Sequence, residues 1–126
     1  MFINFTNHSS GKWPTQQIEC AHHYGEILDL PFPEVDPVGD TEYIEQLAQQ
    51  FADRITDLEP SAVLCQGEMT LAFAVANVLM SRGITVLAAC SERVVTEIVG
   101  ADGERIKQSE FRFVGFREYV QVVKNC

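Results

Sequence analysis

Apolar and polar positions fall in blocks that read alternately as strands and helices. Phe2 to Phe5 is a short apolar strand candidate. It is closed by the polar run Thr6-Asn7-His8-Ser9-Ser10-Gly11, which includes Gly and Asn turn formers. Pro14 suits a helix start and Gly25 a helix end, with Ile18, Ala21 and His22 on one face between them. Glu26 to Leu30 reads as a second short strand, after which Pro31, Pro33, Pro37 and Gly39 enforce a loop. Asp40 is a good N-cap for the next helix. In that helix Tyr43, Ile44, Leu47, Ala48, Phe51, Ile55 and Leu58 recur at spacings of three and four, while Glu42, Glu45, Asp53 and Asp57 make a solvated face.

Pro60 breaks the chain, Ser61 to Cys65 is a buried strand, and Met69 to Arg82 is a mostly apolar helix closed by Gly83. Ile84 to Ala89 is continuously apolar, as central parallel strands are. The order β-α-β-α-β-α-β predicts a Rossmann-like parallel sheet with helices on both faces. Val94 to Val99 and Ile106 to Phe116 are β-rich and flank Ala101-Asp102-Gly103-Glu104, a hairpin signal. A C-terminal β-hairpin extension therefore follows the α/β part. Gly115 breaks the alternation around Phe111 and Phe113 and suits a bulge. The 126 residues suffice for one domain and one core, so residues 1–126 are read as a single domain.

Charge changes the picture. The chain carries a net −9, which argues against coating duplex nucleic acid or an anionic membrane surface by bulk charge. Residues 1–60 hold two basic groups against eleven acidic ones, whereas residues 61–126 hold seven of each. Any anion site must be local. Cys20, Cys65, Cys90 and Cys126 form no CxxC pair or zinc-type spacing, and they read as reduced thiols of a cytoplasmic protein. The N-terminal residues lack the apolar stretch of a signal peptide, and Met69 to Met80 is too short to span a membrane.

In an open parallel sheet, ligands bind beyond the carboxyl ends of the strands where strand order reverses. With the first strand between the second and third, that crevice lies between Thr6–Lys12 and Gln66–Thr70, and Ser91-Glu92-Arg93 ends the fourth strand nearby. The first loop leads into a helix N-terminus, which favours anions. It has no GxxxxGK[ST] or GxGxxG spacing, so a nucleoside triphosphatase or a standard dinucleotide enzyme is not expected. His8 is the acid/base candidate, since an imidazole titrates near neutrality; a surface or capping histidine is the plain alternative. Lys12 and Arg93 suit phosphate, although Arg93 could instead pair with Glu92 or Glu68. Gly67 allows close approach of backbone to a ligand, or makes a tight turn in which Glu68 sits at a helix N-terminus. Arg117 and Tyr119 read as structural more readily than as ligand groups. Three histidines without matching carboxylates make no metal motif, and no cofactor is expected.

Asn-Phe-Thr-Asn-His-Ser at residues 4–9, Gln17, and Gly25-Glu26-Ile27-Leu28-Asp29-Leu30-Pro31 together resemble small CRISPR-associated accessory proteins related to CARF domains. The resemblance covers mainly the first 35 residues, with weaker agreement at Gln66-Gly67-Glu68 and Ser91-Glu92-Arg93. This chain departs from that pattern in having Thr6-Asn7 before the histidine and Trp13-Pro14-Thr15 at the helix start. The resemblance implies a Rossmann-like homodimer and a ring nuclease, which binds and cuts the cyclic oligoadenylate messenger of type III CRISPR immunity. It carries over His8, together with Thr6 and Asn7.

The expectation is thus metal-independent cleavage of cyclic oligoadenylate, with cyclic tetra-adenylate suiting a two-fold dimer. The substrate's own 2′-hydroxyl would attack. His8, Lys12 and Arg93 form the catalytic set. Thr6, Asn7, Ser9, Ser10, Gln66, Gly67, Glu68, Ser91 and Arg117 form the ligand-binding set. The alternatives are a non-catalytic sensor or sponge for the same ligand, an interaction protein docking through its acidic helix, and an unrelated nucleotide-binding enzyme.

Overall fold

The computed structural model describes residues 1–122; the reduced-thiol reading of Cys126 lies outside them. Strand β1 is Phe2–Phe5, β2 is Ile27–Asp29, β3 is Ala62–Cys65, β4 is Val86–Val99 and β5 is Arg105–Glu118. Helix α1 is Thr15–His22, α2 is Thr41–Asp57 and α3 is Met69–Ser81. The sheet order is β2-β1-β3-β4-β5. Strands β1 to β4 are mutually parallel, and β5 returns antiparallel beside β4. The fold is therefore mixed α/β with a mostly parallel sheet. Its antiparallel fifth strand departs from a clean Rossmann order.

Alternation along β1 divides the core into two layers. Ile3 and Phe5 face α2 and α3, joined by Val63, Cys65 and Val86 and by Ala48, Ile55, Leu71 and Val75 from the helices. Phe2 faces α1, with Ala62, Leu64, Leu87 and Ala21, and with Trp13, Tyr24 and Phe116 at the margin. The Phe2 ring lies 5.3 Å from that of Phe116 and 6.2 Å from Trp13. Asp40 caps α2 as expected, accepting from the Tyr43 N–H at 2.9 Å. Gly83 ends α3 with φ +78°, in the left-handed region that suits glycine. Among the described residues no helix is long and apolar enough to cross a membrane.

The end of β4 requires a correction. Ser91, Glu92 and Arg93 do not leave the strand as a rim loop. They continue β4, opposite Phe113, Arg112 and Phe111 of β5. Beyond Leu87, β4 has no pairing with β3, so Ser91–Val99 and Arg105–Phe113 form a two-stranded ribbon that projects from the sheet. Solvent on both faces removes the apolar alternation that would have marked these residues as a strand. The ribbon closes through Gly100–Glu104, with Gly103 at φ +83°. The register shifts between Cys90, opposite Gly115, and Ser91, opposite Phe113, so Val114 is the extra residue of a bulge beside Gly115.

Candidate functional site

A buried polar cluster shapes the loop after β1. Asn4 stands in an apolar strand and is only 1% exposed. Its amide nitrogen donates to the His8 carbonyl and to Asp29 Oδ1, both at 2.8 Å. Its amide oxygen accepts from the Thr6 hydroxyl at 2.8 Å. Thr6 Oγ1 in turn accepts from the His8 N–H at 3.1 Å, a local turn that bends the chain back over the strand end. Ser10 closes the cluster from the far side, giving Asp29 its backbone N–H at 3.1 Å and its hydroxyl at 2.9 Å. No buried side-chain polar atom among the described residues lacks a partner.

Partial burial would raise the Asp29 carboxyl, but the hydrogen bonds from Asn4, Ser10 and Ser9 outweigh it and hold the group below the ordinary carboxylate value. Ser9 and Ser10 are thus committed to Asp29 and to a short 3-10 turn over Ser10–Lys12. That turn separates the loop from α1, whose N-cap is Pro14. The expected direct passage from loop to helix N-terminus is therefore interrupted.

The bent loop forms one wall of an open cleft of about 420 Å3. Thr6, Asn7, His8, Lys12, Trp13 and Gln17 line one side, and Gln66, Gly67, Ala89 and Ser91 line the other, with Leu64 at the base. Lys12 and His8 are thereby brought together with Gln66 and Ser91. Gln66 uses its side-chain oxygen to accept from the Ala89 N–H at 2.9 Å; its amide nitrogen makes no hydrogen bond among the described residues. Among the residues lining the cleft there is no aspartate or glutamate. In a chain of net −9 that local exclusion of carboxylates stands out.

The remaining site candidates lie elsewhere. Glu68 caps α3, accepting from the Thr70 and Leu71 N–H groups at 3.1 and 2.9 Å and from the Thr70 hydroxyl at 2.6 Å. Those bonds hold its carboxyl below the ordinary value. It therefore does not line the cleft. Arg93 follows Ser91 by two residues, on the same face of the ribbon but about 7 Å further out at the usual strand rise. Arg117 pairs with Ala88 and falls on the opposite face, because strand alternation sends Ala88 away from Ala89 and the cleft. Glu92 is likewise on the far face, 4.0 Å from Arg112.

Gly67 has a second reason to be glycine. A Cβ there would meet the Phe32 ring at 2.6 Å, and Phe32 is itself stacked on Phe5 with centroids 4.8 Å apart. Tyr119, read as structural, is so: its hydroxyl donates to the Cys65 carbonyl at 2.9 Å. Sequence reasoning missed Asn4 and Trp13. A lone polar residue inside the apolar run Phe2–Phe5 was the available signal for the first. Among the described residues, no group of three His, Cys, Asp or Glu side chains could hold a metal ion.

Fold and cleft together define a mixed α/β protein with an open polar cleft at the C-terminal rim of its parallel strands. The chain belongs to the uncharacterized protein MJ1673 family, whose sequence model matches residues 1–117 and so spans both the cleft and the ribbon. No curated protein and no solved structure matches it.

Proposed function

We propose that the chain is a Rossmann-like, CARF-like ring nuclease that acts as a cytoplasmic homodimer. It binds and opens cyclic oligoadenylate, with cyclic tetra-adenylate as the substrate of choice. The observation that carries this reading is the carboxylate-free cleft, in which His8 and Lys12 meet uncharged donors at Asn7, Gln66 and Ser91. A phosphodiester is anionic, so a wall of acids would repel it while one ammonium and several amides suit it. The Trp13 indole offers an apolar surface for a base.

In the proposed reaction the ribose 2′-oxygen forms a bond to the adjacent phosphorus as the P–O5′ bond breaks. His8 takes the 2′-hydroxyl proton, and the imidazolium so formed returns it, through water in the open cleft, to the departing 5′-oxygen. The products are a 2′,3′-cyclic phosphate end and a 5′-hydroxyl. Lys12 stabilises charge on the phosphate, and Asn7 and Gln66 hold the attack in line. Arg93, further out on the ribbon, would meet only a ligand that extends beyond the cleft.

The test is incubation with cyclic tetra-adenylate in EDTA, followed by chromatography and mass analysis. Expected is a linear product with a 2′,3′-cyclic phosphate end from the wild type, and a loss of at least ~100-fold in rate for His8→Ala. If wild type and His8→Ala both leave the ring intact, the nuclease reading is wrong. Calorimetric binding without turnover would instead support the sensor.

A further inference from the structure

Two surfaces at the cleft end of the molecule are left uncovered, and they complement each other. The first is the ribbon. A two-stranded hairpin is marginal in water unless a third layer covers it, yet beyond buried Phe113 eight residue pairs here, Glu92↔Arg112 to Val99↔Arg105, stand without one. On the face that continues from Ser91, register brings Val95, Val99 and Phe111 together with Arg93, Lys107 and Arg105. Phe111 is 76% exposed and Val99 66%. Among the described residues Arg93 and Lys107 have no ion-pair partner.

The second surface is the groove between α2 and α3, about 840 Å3 in volume. Its apolar floor includes Ile44, Met69 and Phe73, and Met69 and Phe73 are 81% and 74% exposed. Its charged lining is Asp40 and Glu45, with no cation. Both helices begin at the rim from which the ribbon leaves, because each follows the carboxyl end of a parallel strand.

We propose that the ribbon of one copy seats in the α2–α3 groove of a second copy, reciprocally about a two-fold axis. Charge selects this occupant: the ribbon face carries three cations against Glu97, and the groove carries two carboxylates. Reach agrees: eight residues of extended ribbon span roughly 26 Å, enough to run the length of the 13-residue α3 at about 20 Å. The exchange rests on the homodimer part of the functional reading above, whatever ligand fills the cleft.

Sedimentation of the full-length chain tests it. The wild type should be a dimer, and Val95→Glu/Phe111→Glu in the ribbon and Phe73→Glu in the groove should each raise its dissociation constant at least ~30-fold, with unchanged circular dichroism. The two variants mixed should associate more tightly than either alone, since one intact ribbon then meets one intact groove. A wild type that stays monomeric at about 100 μM removes both this proposal and the homodimer. A dimer indifferent to either variant, or a mixture no tighter than its components, overturns the exchange and leaves the homodimer standing.

Discussion

Asn4→Ala is the substitution that most directly tests how the cleft wall is held. It removes three hydrogen bonds at once: to the His8 carbonyl, to Asp29 and from Thr6. The bond to the Asp29 carboxylate is charge-assisted, and the other two are neutral. Their net contributions are about 2 and about 1 kcal/mol each. The expected loss is therefore about 4 kcal/mol, and no more, because the Thr6 hydroxyl can turn to the His8 carbonyl 3.1 Å away. That is roughly 15 °C in Tm for a domain of this size. Urea denaturation followed by circular dichroism reads it at pH 7. A double-mutant cycle with Asp29→Ala isolates the charged pair, and the coupling should be about 1.5 kcal/mol. Because the folded carboxyl lies below its ordinary value, that coupling is complete above the ordinary carboxylate range. It declines as pH falls through the lowered folded value. A loss under about 1 kcal/mol, or a coupling that does not change in acid, would refute the reasoning.

Other outcomes follow from single contacts. Gly67→Ala should cost about 1–3 kcal/mol, because its Cβ meets a Phe32 ring already packed on Phe5; thermal melts check this, and Phe32→Leu in the same chain should recover most of it. Burial pushes the Cys65 thiol up to about 12, so iodoacetamide at pH 8 should label half-exposed Cys20 and Cys90 and spare Cys65 until the chain unfolds, as read by peptide mass spectrometry. Lys12→Ala should weaken cyclic tetra-adenylate binding by about tenfold and flatten its salt dependence, measured by calorimetry at two ionic strengths.

Much of the architecture was legible because it is written in local periodicity. The Asp40 cap, the three- and four-residue spacing of α2 and the apolar runs of β1 and β3 each depend on neighbours in sequence. The parallel order followed from the alternation of elements. The hairpin itself was legible in the β-rich runs Val94–Val99 and Ile106–Phe116 and the Asp-Gly turn between them; its junction with the sheet was not, since the polar Ser91-Glu92-Arg93 carries no inward alternation and looked like a loop. The cluster of Asn4 with Asp29 was hidden too. It joins positions 25 residues apart, and nothing in either segment alone names the other. Seven of the twelve candidate residues line the cleft, because three strand ends must meet at one rim. Ser9, Ser10 and Glu68 were drawn away by hydrogen bonds that a sequence does not display, Arg93 by its distance along the ribbon and Arg117 by strand parity.

The interior position of β1, between β2 and β3, also bears on how the chain is made. Its partner β2 lies close behind it in translation order, but β3 begins about 60 residues after β1, from Phe2 to Ala62. At 5–20 residues per second, that interval lasts roughly 3–12 s. Throughout it, one flank of Phe-Ile-Asn-Phe has unpaired backbone groups and uncovered aromatic rings. Asn4 interrupts this otherwise apolar tetrapeptide, so the same amide that later organises the cleft breaks up the most adhesive stretch of the nascent chain while its second neighbour is still being synthesised.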